Sequence, residues 1–196
     1  MKNLVLASGN PGKLKELSSL LGKLDYNLVS QSDLGVEEVP ETGTTFVENA
    51  IIKARNAAEH TGYAALADDS GIEVDALDGA PGVYSARFAG ANASDDENNA
   101  RLVEKLRAVA PEQRSARYRA VIVVMRHAAD PSPIICEGSW QGLIQLEPQG
   151  SGGFGYDPYF YLPALGCTSA QLSAEEKNRL SHRGQALELL IKRLST

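Results

Sequence analysis

The chain has 196 residues, 43% of them apolar and 22% charged, and 19 Lys and Arg against 25 Asp and Glu give a net charge of −6. These values describe a folded globular protein with length for a substantial core, and they exclude a disordered chain. The acidic balance argues against a protein that coats nucleic acid, which needs an excess of basic surface, while the longest apolar runs are too short to cross a bilayer.

In chain order, residues 3–7 (NLVLA) predict a short buried strand. Asn10 and Pro11 then suit the N-cap and first position of a helix carrying Leu14, Leu17, Leu20 and Leu21. The break at 9–12 leaves no apolar stretch of signal-peptide length, so the expectation is a cytoplasmic protein. A strand over 27–30 follows, and Thr45-Phe46-Val47-Glu48 reads as a capping box opening a helix to about residue 60. Phe46, Ala50, Ala54 and Ala57 or Ala58 form its apolar stripe, whereas Asn49, Lys53, Asn56 and His60 line a separate polar one. Strands at 64–67 and 72–74 are expected on either side of Asp68-Asp69-Ser70-Gly71, with that acidic pair on a bend or strand end.

Residues 95–108 predict another helix, and 117–126 with 134–146 predict two long strands, antiparallel because a short Pro-containing turn joins them. Ser173 to Glu176 is a second capping box, opening a helix near 175–180, and the last helix runs from about 182 to 194. Helices and strands mix without strict alternation, which predicts an α/β or α+β protein, one domain over 1–196, with a mixed sheet. Cys136 and Cys167 are too few for a disulfide framework and read as small buried or half-buried side chains. Trp140 and the run from Val121 to Val124 read as core, and His60 and His127 suggest no metal site.

Four segments carry residues with chemical potential. Ser8-Gly9-Asn10-Pro11-Gly12-Lys13 is either an anion site of helix amides with a mobile lysine or a tight turn with a solvated one; it lacks the glycine spacing of a Walker loop. Asp68-Asp69-Ser70-Gly71, with Glu37, Glu38, Glu41 and Glu48 nearby in sequence, offers oxygen ligands to a hard cation, or an Asx-type turn. Gly152-Gly153-Phe154-Gly155-Tyr156-Asp157-Pro158 offers Phe154 or Tyr156 as a stacking surface and Asp157 as an acceptor for a base edge, or aromatics that join the core. Lys177 and Ser181-His182-Arg183 are either donors for a carbonyl oxygen or an ordinary helix junction.

Together SGNPGK (8–13), ETGTTFVENAIIKA (41–54), ADDSGIEVDALDGAPGVYSARFAG (67–90), GGFGYDP (152–158) and EKNRLSHRGQA (176–186) resemble the Ham1/RdgB-type inosine triphosphate pyrophosphatases, the XTP/dITP diphosphatases, in its bacterial branch. The resemblance covers nearly the whole chain. It implies an elongated two-lobed α/β protein with a central mixed sheet flanked by helices, a nucleotide cleft between the lobes, and a homodimer. It also implies Mg²⁺-dependent hydrolysis of XTP, ITP and dITP to the monophosphate and pyrophosphate. By that likeness Asp69 is the general base, with Glu41 and Asp68 helping it hold the metal. The 8–13 loop (Ser8, Gly9, Asn10, Pro11, Gly12, Lys13) and Lys53 would neutralise phosphate charge, and Ser70 would lie close to the substrate. Phe154, with Gly155 and Tyr156 in the same loop, would stack on the purine, while Asp157, Lys177, His182 and Arg183 surround it. Arg183 only donates, so it suits a 6-oxo purine and opposes the 6-amino group of adenine; this does not account for rejection of guanine. Residues 91–151 carry no such motif and are expected to supply scaffold and part of a dimer interface.

Overall fold

The computed structural model describes residues 2–9, 13, 14, 17, 18, 21 and 24–195. Its sheet has seven strands: β1 (Lys2–Leu6), β2 (Tyr26–Ser30), β3 (Ala64–Val74), β4 (Ser115–Met125), β5 (Ile134–Ile144), β6 (Phe160–Leu162) and β7 (Cys167–Thr168). The order across it is β2-β1-β3-β4-β5-β6-β7. β1 is parallel to both β2 and β3, whereas β6 is antiparallel to both β5 and β7, so the sheet is mixed as expected. The two long strands joined by the turn after Met125 are neighbours in that order.

β3 departs from expectation. Asp68, Asp69, Ser70 and Gly71 lie inside one continuous strand and do not form a bend between two short ones. β1 pairs with β3 only over Ala64–Leu66, so Asp68 to Gly71 lie beyond that pairing, and the strand runs on extended in the sheet beside its other neighbour, β4. Lysine partners for both carboxylates remove the need for an Asx turn.

Four helices of the expected kind follow: α1 (Phe46–Thr61), α2 (Asp95–Leu106), α3 (Ala174–Leu180) and α4 (His182–Leu194). Residues 13, 14, 17, 18 and 21 are also helical, although the expected start at Asn10 and Pro11, and Leu20, lie outside the described residues. α1 opens on the Thr45–Glu48 capping box and closes on Gly62, whose φ of 69° terminates the helix cheaply because glycine tolerates that conformation. Its buried face is Phe46, Asn49, Ala50, Ala54, Ala57 and Ala58, so both alanines of the expected pair are inside and a polar residue joins them. α2 carries a capping box of its own, Ser94 with Glu97, and stops two residues short of the expected end as the chain turns from Leu106 to Val109. Between α3 and α4 the backbones approach so closely that a Cβ on Gly184 would sit 1.9 Å from the Asn178 carbonyl oxygen, a place only glycine can fill.

The chain forms two compact units. The first holds Met1–Asp69, Ala120–Glu137 and Ala186–Thr196, the second Ser70–Arg119 and Gly138–Gln185. The core of the first gathers Leu4 and Leu6 of β1, Leu66 of β3, Ile122 and Val124 of β4, and Ala186, Leu187 and Leu190 of α4, with Leu17 and Leu21. The core of the second is aromatic: Tyr118, Trp140, Tyr156 and Phe160 pack with Ile72, Val74, Leu102, Leu106 and Ile144. Phe160 meets Tyr118 edge-on at 4.7 Å and Trp140 at 5.6 Å. Trp140 and the strand run from Val121 to Val124 are buried as anticipated, and Cys136 and Cys167 are free thiols, one buried and one half-buried. Among the described residues no helix is long and apolar enough to cross a membrane.

Candidate active site

Two clusters of functional side chains emerge, one in each unit. In the first unit a cavity of about 390 Å³ is lined by Ser8, Lys13, Gln31, Glu38, Glu41, Lys53 and Asp68, with Ala7 and Val39. β3 supplies the acids. Because successive side chains of a strand alternate, Asp68 and Asp69 diverge and meet different lysines. Lys13 Nζ donates to Asp68 Oδ1 at 2.8 Å, while Lys53 Nζ donates to Asp69 Oδ1 at 3.1 Å and to Glu41 Oε1 at 2.6 Å.

α1 positions the second of these lysines. Asn49 and Lys53 are four residues apart and so share a helix face, and both reach Asp69. Fully buried Asn49 donates from Nδ2 to Asp69 Oδ2 at 3.3 Å, while its Oδ1 accepts the Gly43 N–H at 2.8 Å. Gly43 allows this closeness, since a Cβ there would come within 2.7 Å of Asn49 Oδ1. One loop amide thereby sets which way the amide of Asn49 faces, and Asn49 orients the carboxylate.

The electrostatics follow from one lysine serving two acids. Burial by itself would depress the Lys53 pKa, but the charge of Asp69 together with Glu41 and Asp68 outweighs it, so the ammonium is held above its ordinary value. Asp69 moves upward as well. Burial is the main cause, and the neighbouring charge of Glu41 adds to it against the opposing pull of Lys53 and the Asn49 bond. Three carboxylates against two ammonium groups leave this cluster net negative.

The donors here are those a hard cation takes. Among the described residues no three His, Cys, Asp or Glu side chains converge as a self-contained cage. All the candidate donors are nevertheless carboxylate oxygens, and an acid-rich cluster beside two lysines matches the way Mg²⁺ is usually held, by one or two carboxylates together with substrate phosphates. Glu41, Asp68 and Asp69 therefore fit such an ion when it arrives with a polyphosphate. In the loop that precedes Lys13, the Gly9 N–H donates to Glu38 Oε1 at 3.3 Å and Ser8 is half-buried; Asn10, Pro11 and Gly12 lie outside the described residues.

In the second unit the glycine-rich segment presents Phe154 at 62% exposure, an unusual position for a large aromatic. Its ring is flanked by cations, with Lys177 Nζ 4.7 Å and Arg183 Cζ 5.8 Å from the centroid. Arg183 Nη2 also reaches Ser70 Oγ at 3.5 Å. His182 lies parallel to the Tyr118 ring, 4.7 Å between centroids and 8° apart in plane.

Two residues of this segment act otherwise than expected. Tyr156 is no stacking surface: its ring is buried in the aromatic core and its hydroxyl donates to the Ser85 carbonyl at 2.7 Å, where burial holds its pKa up. Asp157 offers no free edge to a base, since the side chain is buried and both oxygens are engaged. Oδ1 accepts from Ser169 Oγ at 2.8 Å and Tyr118 at 3.4 Å, and Oδ2 accepts from the Phe154 N–H at 2.8 Å and from Lys177. The physical reason is loop economy. A segment this rich in glycine needs an anchor, and a buried carboxylate satisfied by four donors supplies one. Gly153 makes the arrangement possible, with φ at 77° and a hypothetical Cβ only 2.1 Å from Asp157 Oδ2.

Sequence reasoning missed Asn49 as a site residue, although its place on the polar stripe four residues before Lys53 was a usable signal. It also missed Gln31 in the cavity wall, which no pattern in the chain marks, whereas Glu38, one of the acids named beside the Asp pair, does line that wall.

The model of the Ham1 family matches residues 4–193. The chain belongs to the Ham1 family. Among curated Ham1 relatives, a dITP/XTP pyrophosphatase of Pectobacterium atrosepticum is 58% identical over 191 residues, 97% of each chain. That of Escherichia coli K12 is 54% identical over the same length and coverage. Of solved Ham1 structures, the Coxiella burnetii protein superposes with a TM-score of 0.97 at 51% identity, covering 100% of this chain and 99% of its own. The Staphylococcus aureus Ham1 protein gives 0.91 at 42% identity, covering 98% of both chains. The α/β fold with its mixed, helix-flanked sheet is therefore the Ham1 fold.

Proposed function

We propose that this protein hydrolyses dITP, XTP and ITP to the nucleoside monophosphate and pyrophosphate with Mg²⁺, working in the cytoplasm as a homodimer. The observation that carries the reading is the Asp69–Lys53–Glu41 triad beside a charged cavity, in a chain more than half identical to proteins named dITP/XTP pyrophosphatases.

In this reading Lys13, Lys53, Asp68 and Asp69 handle the triphosphate, and Phe154, Lys177 and Arg183 handle the base. Lys13 and Lys53 leave part of their carboxylate contacts to meet phosphate oxygens, which a polyanion needs before a nucleophile can approach. Asp69, oriented by Asn49 and Lys53, takes a proton from the water that attacks the α-phosphorus, and pyrophosphate departs. Its upward pKa shift suits it to that work, since a stronger base accepts the proton more readily. Mg²⁺, held by Glu41, Asp68 and Asp69 with the phosphates, would neutralise charge and lower the pKa of the attacking water. Phe154 stacks on the purine, and Arg183 and Lys177 beside it offer donors to the 6-oxo group. An adenine 6-amino group would leave a donor facing a donor, a mismatch worth about 1–3 kcal/mol or roughly a tenfold to hundredfold preference.

The test is hydrolysis of dITP, XTP, GTP and ATP with Mg²⁺, scoring pyrophosphate and orthophosphate separately. Pyrophosphate from dITP and XTP with little from ATP supports the proposal. Orthophosphate instead would mean attack at the γ-phosphorus and a different alignment of Asp69.

A further inference from the structure

Phe154 is exposed and sits between two glycines, Gly153 at φ 77° and Gly155 at φ 60°, so nothing in its own packing holds its backbone still. Glycine flanks give the greatest conformational freedom a chain has, and a ring that must meet a base flat needs that freedom removed before binding. On the N-terminal side the restraint is the Phe154 N–H bond to Asp157. On the C-terminal side a turn bond from the Asp157 N–H to the Phe154 carbonyl at 3.3 Å is joined by two bonds from α2. Asp95 Oδ2 accepts the Gly155 N–H at 2.6 Å, and Asn99 Nδ2 donates to the Gly155 carbonyl at 2.9 Å.

Asp95 and Asn99 are four residues apart, hence on one face of the helix, and they engage both polar groups of the same glycine. Each bond fixes one of the two peptide planes that flank Gly155. Asp95 is not needed as the helix's N-terminal charge, because Asp96 and Glu97 occupy the same turn. Asn99 is only 5% exposed, and its Oδ1 finds no hydrogen-bond partner among the described residues. A buried amide with one empty acceptor is a poor choice for packing alone, so what Asn99 contributes is its N–H to Gly155.

We propose that Asp95 and Asn99 are positioning residues for base recognition: as a two-point clamp on Gly155 they hold the Phe154 ring in its binding orientation. This rests on the reading that Phe154 stacks on the purine.

The test is steady-state kinetics on dITP for Asp95→Ala, Asn99→Ala, Asp95→Asn and Phe154→Ala, alone and combined, with thermal melts as a check on folding. Asp95→Ala and Asn99→Ala should each raise KM about three- to tenfold, the worth of one hydrogen bond, with kcat within about twofold of the parent. Asp95→Asn keeps an acceptor for the Gly155 N–H and should restore most of the affinity. In the Phe154→Ala background neither substitution should raise KM further. The clamp is overturned if both alanine variants keep the parental KM, if they lower kcat at constant KM, or if their effects add in full to that of Phe154→Ala. A parental KM for Phe154→Ala itself would overturn the stacking reading and the clamp with it, whereas a raised KM there with silent clamp variants overturns the clamp alone. Asp95 is exposed, so its variants carry the test even if Asn99→Ala does not fold.

Discussion

In the role of base proposed for Asp69, chemistry and stability pull in opposite directions. Its carboxyl is half-buried, and burial with the nearby Glu41 charge raises its pKa despite Lys53. Two consequences follow. The acid limb of the kcat/KM profile should lie above the ordinary aspartate value of about 3.9, because the base is inactive once protonated. For stability, the folded state binds this proton more tightly than the unfolded chain. The benefit of protonation is present below the unfolded pKa and disappears as pH climbs through the higher folded one, so at neutral pH the ionised group is a net burden. Asp69→Asn should accordingly cut kcat by about 10²–10⁴-fold while raising Tm at neutral pH, with Lys53 still paired to Glu41. A variant with parental kcat would remove Asp69 from the role of base, and a lowered Tm would mean the Lys53 contact outweighs burial. Asp157 serves structure. Its four donors make it a structural anchor, and like Tyr156 it turned away from the partner expected of it.

At the scale of elements, α1 and the Gly-rich segment are the parts that aim side chains. α1 begins on a capping box in which the Thr45 hydroxyl accepts the Glu48 N–H and Glu48 reaches back to the Thr45 N–H. Thr45→Ala should cost about 1 kcal/mol of stability, read as a lower urea midpoint at unchanged m-value, and should leave kcat nearly intact because Asn49 and Lys53 lie beyond the first turn. A large loss of kcat would show that the cap sets the position of Lys53 directly. Gly153 is the stricter position. A Cβ at 2.1 Å from Asp157 Oδ2, on backbone at φ 77°, must displace the anchor, so Gly153→Ala should raise KM for dITP and lower Tm together. Retention of parental KM would mean the segment can rearrange around Asp157 without moving Phe154. These elements were legible in part. The capping boxes at Thr45 and Ser173 and the extent of α4 follow from local chemistry that tertiary context does not alter. The acidic pair on β3 was harder, because nothing local says that residues 68–71 continue the strand begun at Ala64.

For the whole molecule, the chain is acidic, with a net charge of −6, yet the substrate class we propose is a polyanion. Binding therefore depends on local cations and on Mg²⁺ against an unfavourable overall field, and added salt should weaken it less than for a protein that relies on long-range attraction. Because a ligand that binds only the folded state stabilises it by mass action, Asp69→Asn with Mg²⁺ and dITP at about 100 times its Kd should gain about 2.7 kcal/mol, seen as a rise in Tm. EDTA should abolish that shift and also the turnover of the parent protein. A shift of equal size for ATP would contradict the 6-oxo preference. Two free thiols, one buried, predict no change in Tm with reducing agent.

What the sequence determined by itself were the features governed by short range: the apolar runs of β1 and β4, the helix caps, the glycine punctuation, and the identity of nearly every polar residue in the two clusters. The five motif blocks pointed to a nucleotide enzyme before any geometry was known. Tertiary structure alone decided how those residues are shared. It assigned Asp68 to Lys13 and Asp69 to Lys53, gave Asn49 a carboxylate to orient, turned Tyr156 into core and Asp157 into an anchor, and left Phe154 exposed. The reason is distance along the chain. A cap or a turn is decided within four residues, where backbone sterics and local hydrogen bonds dominate, but the Lys13–Asp68 pair spans 55 residues and its geometry exists only once the sheet has assembled.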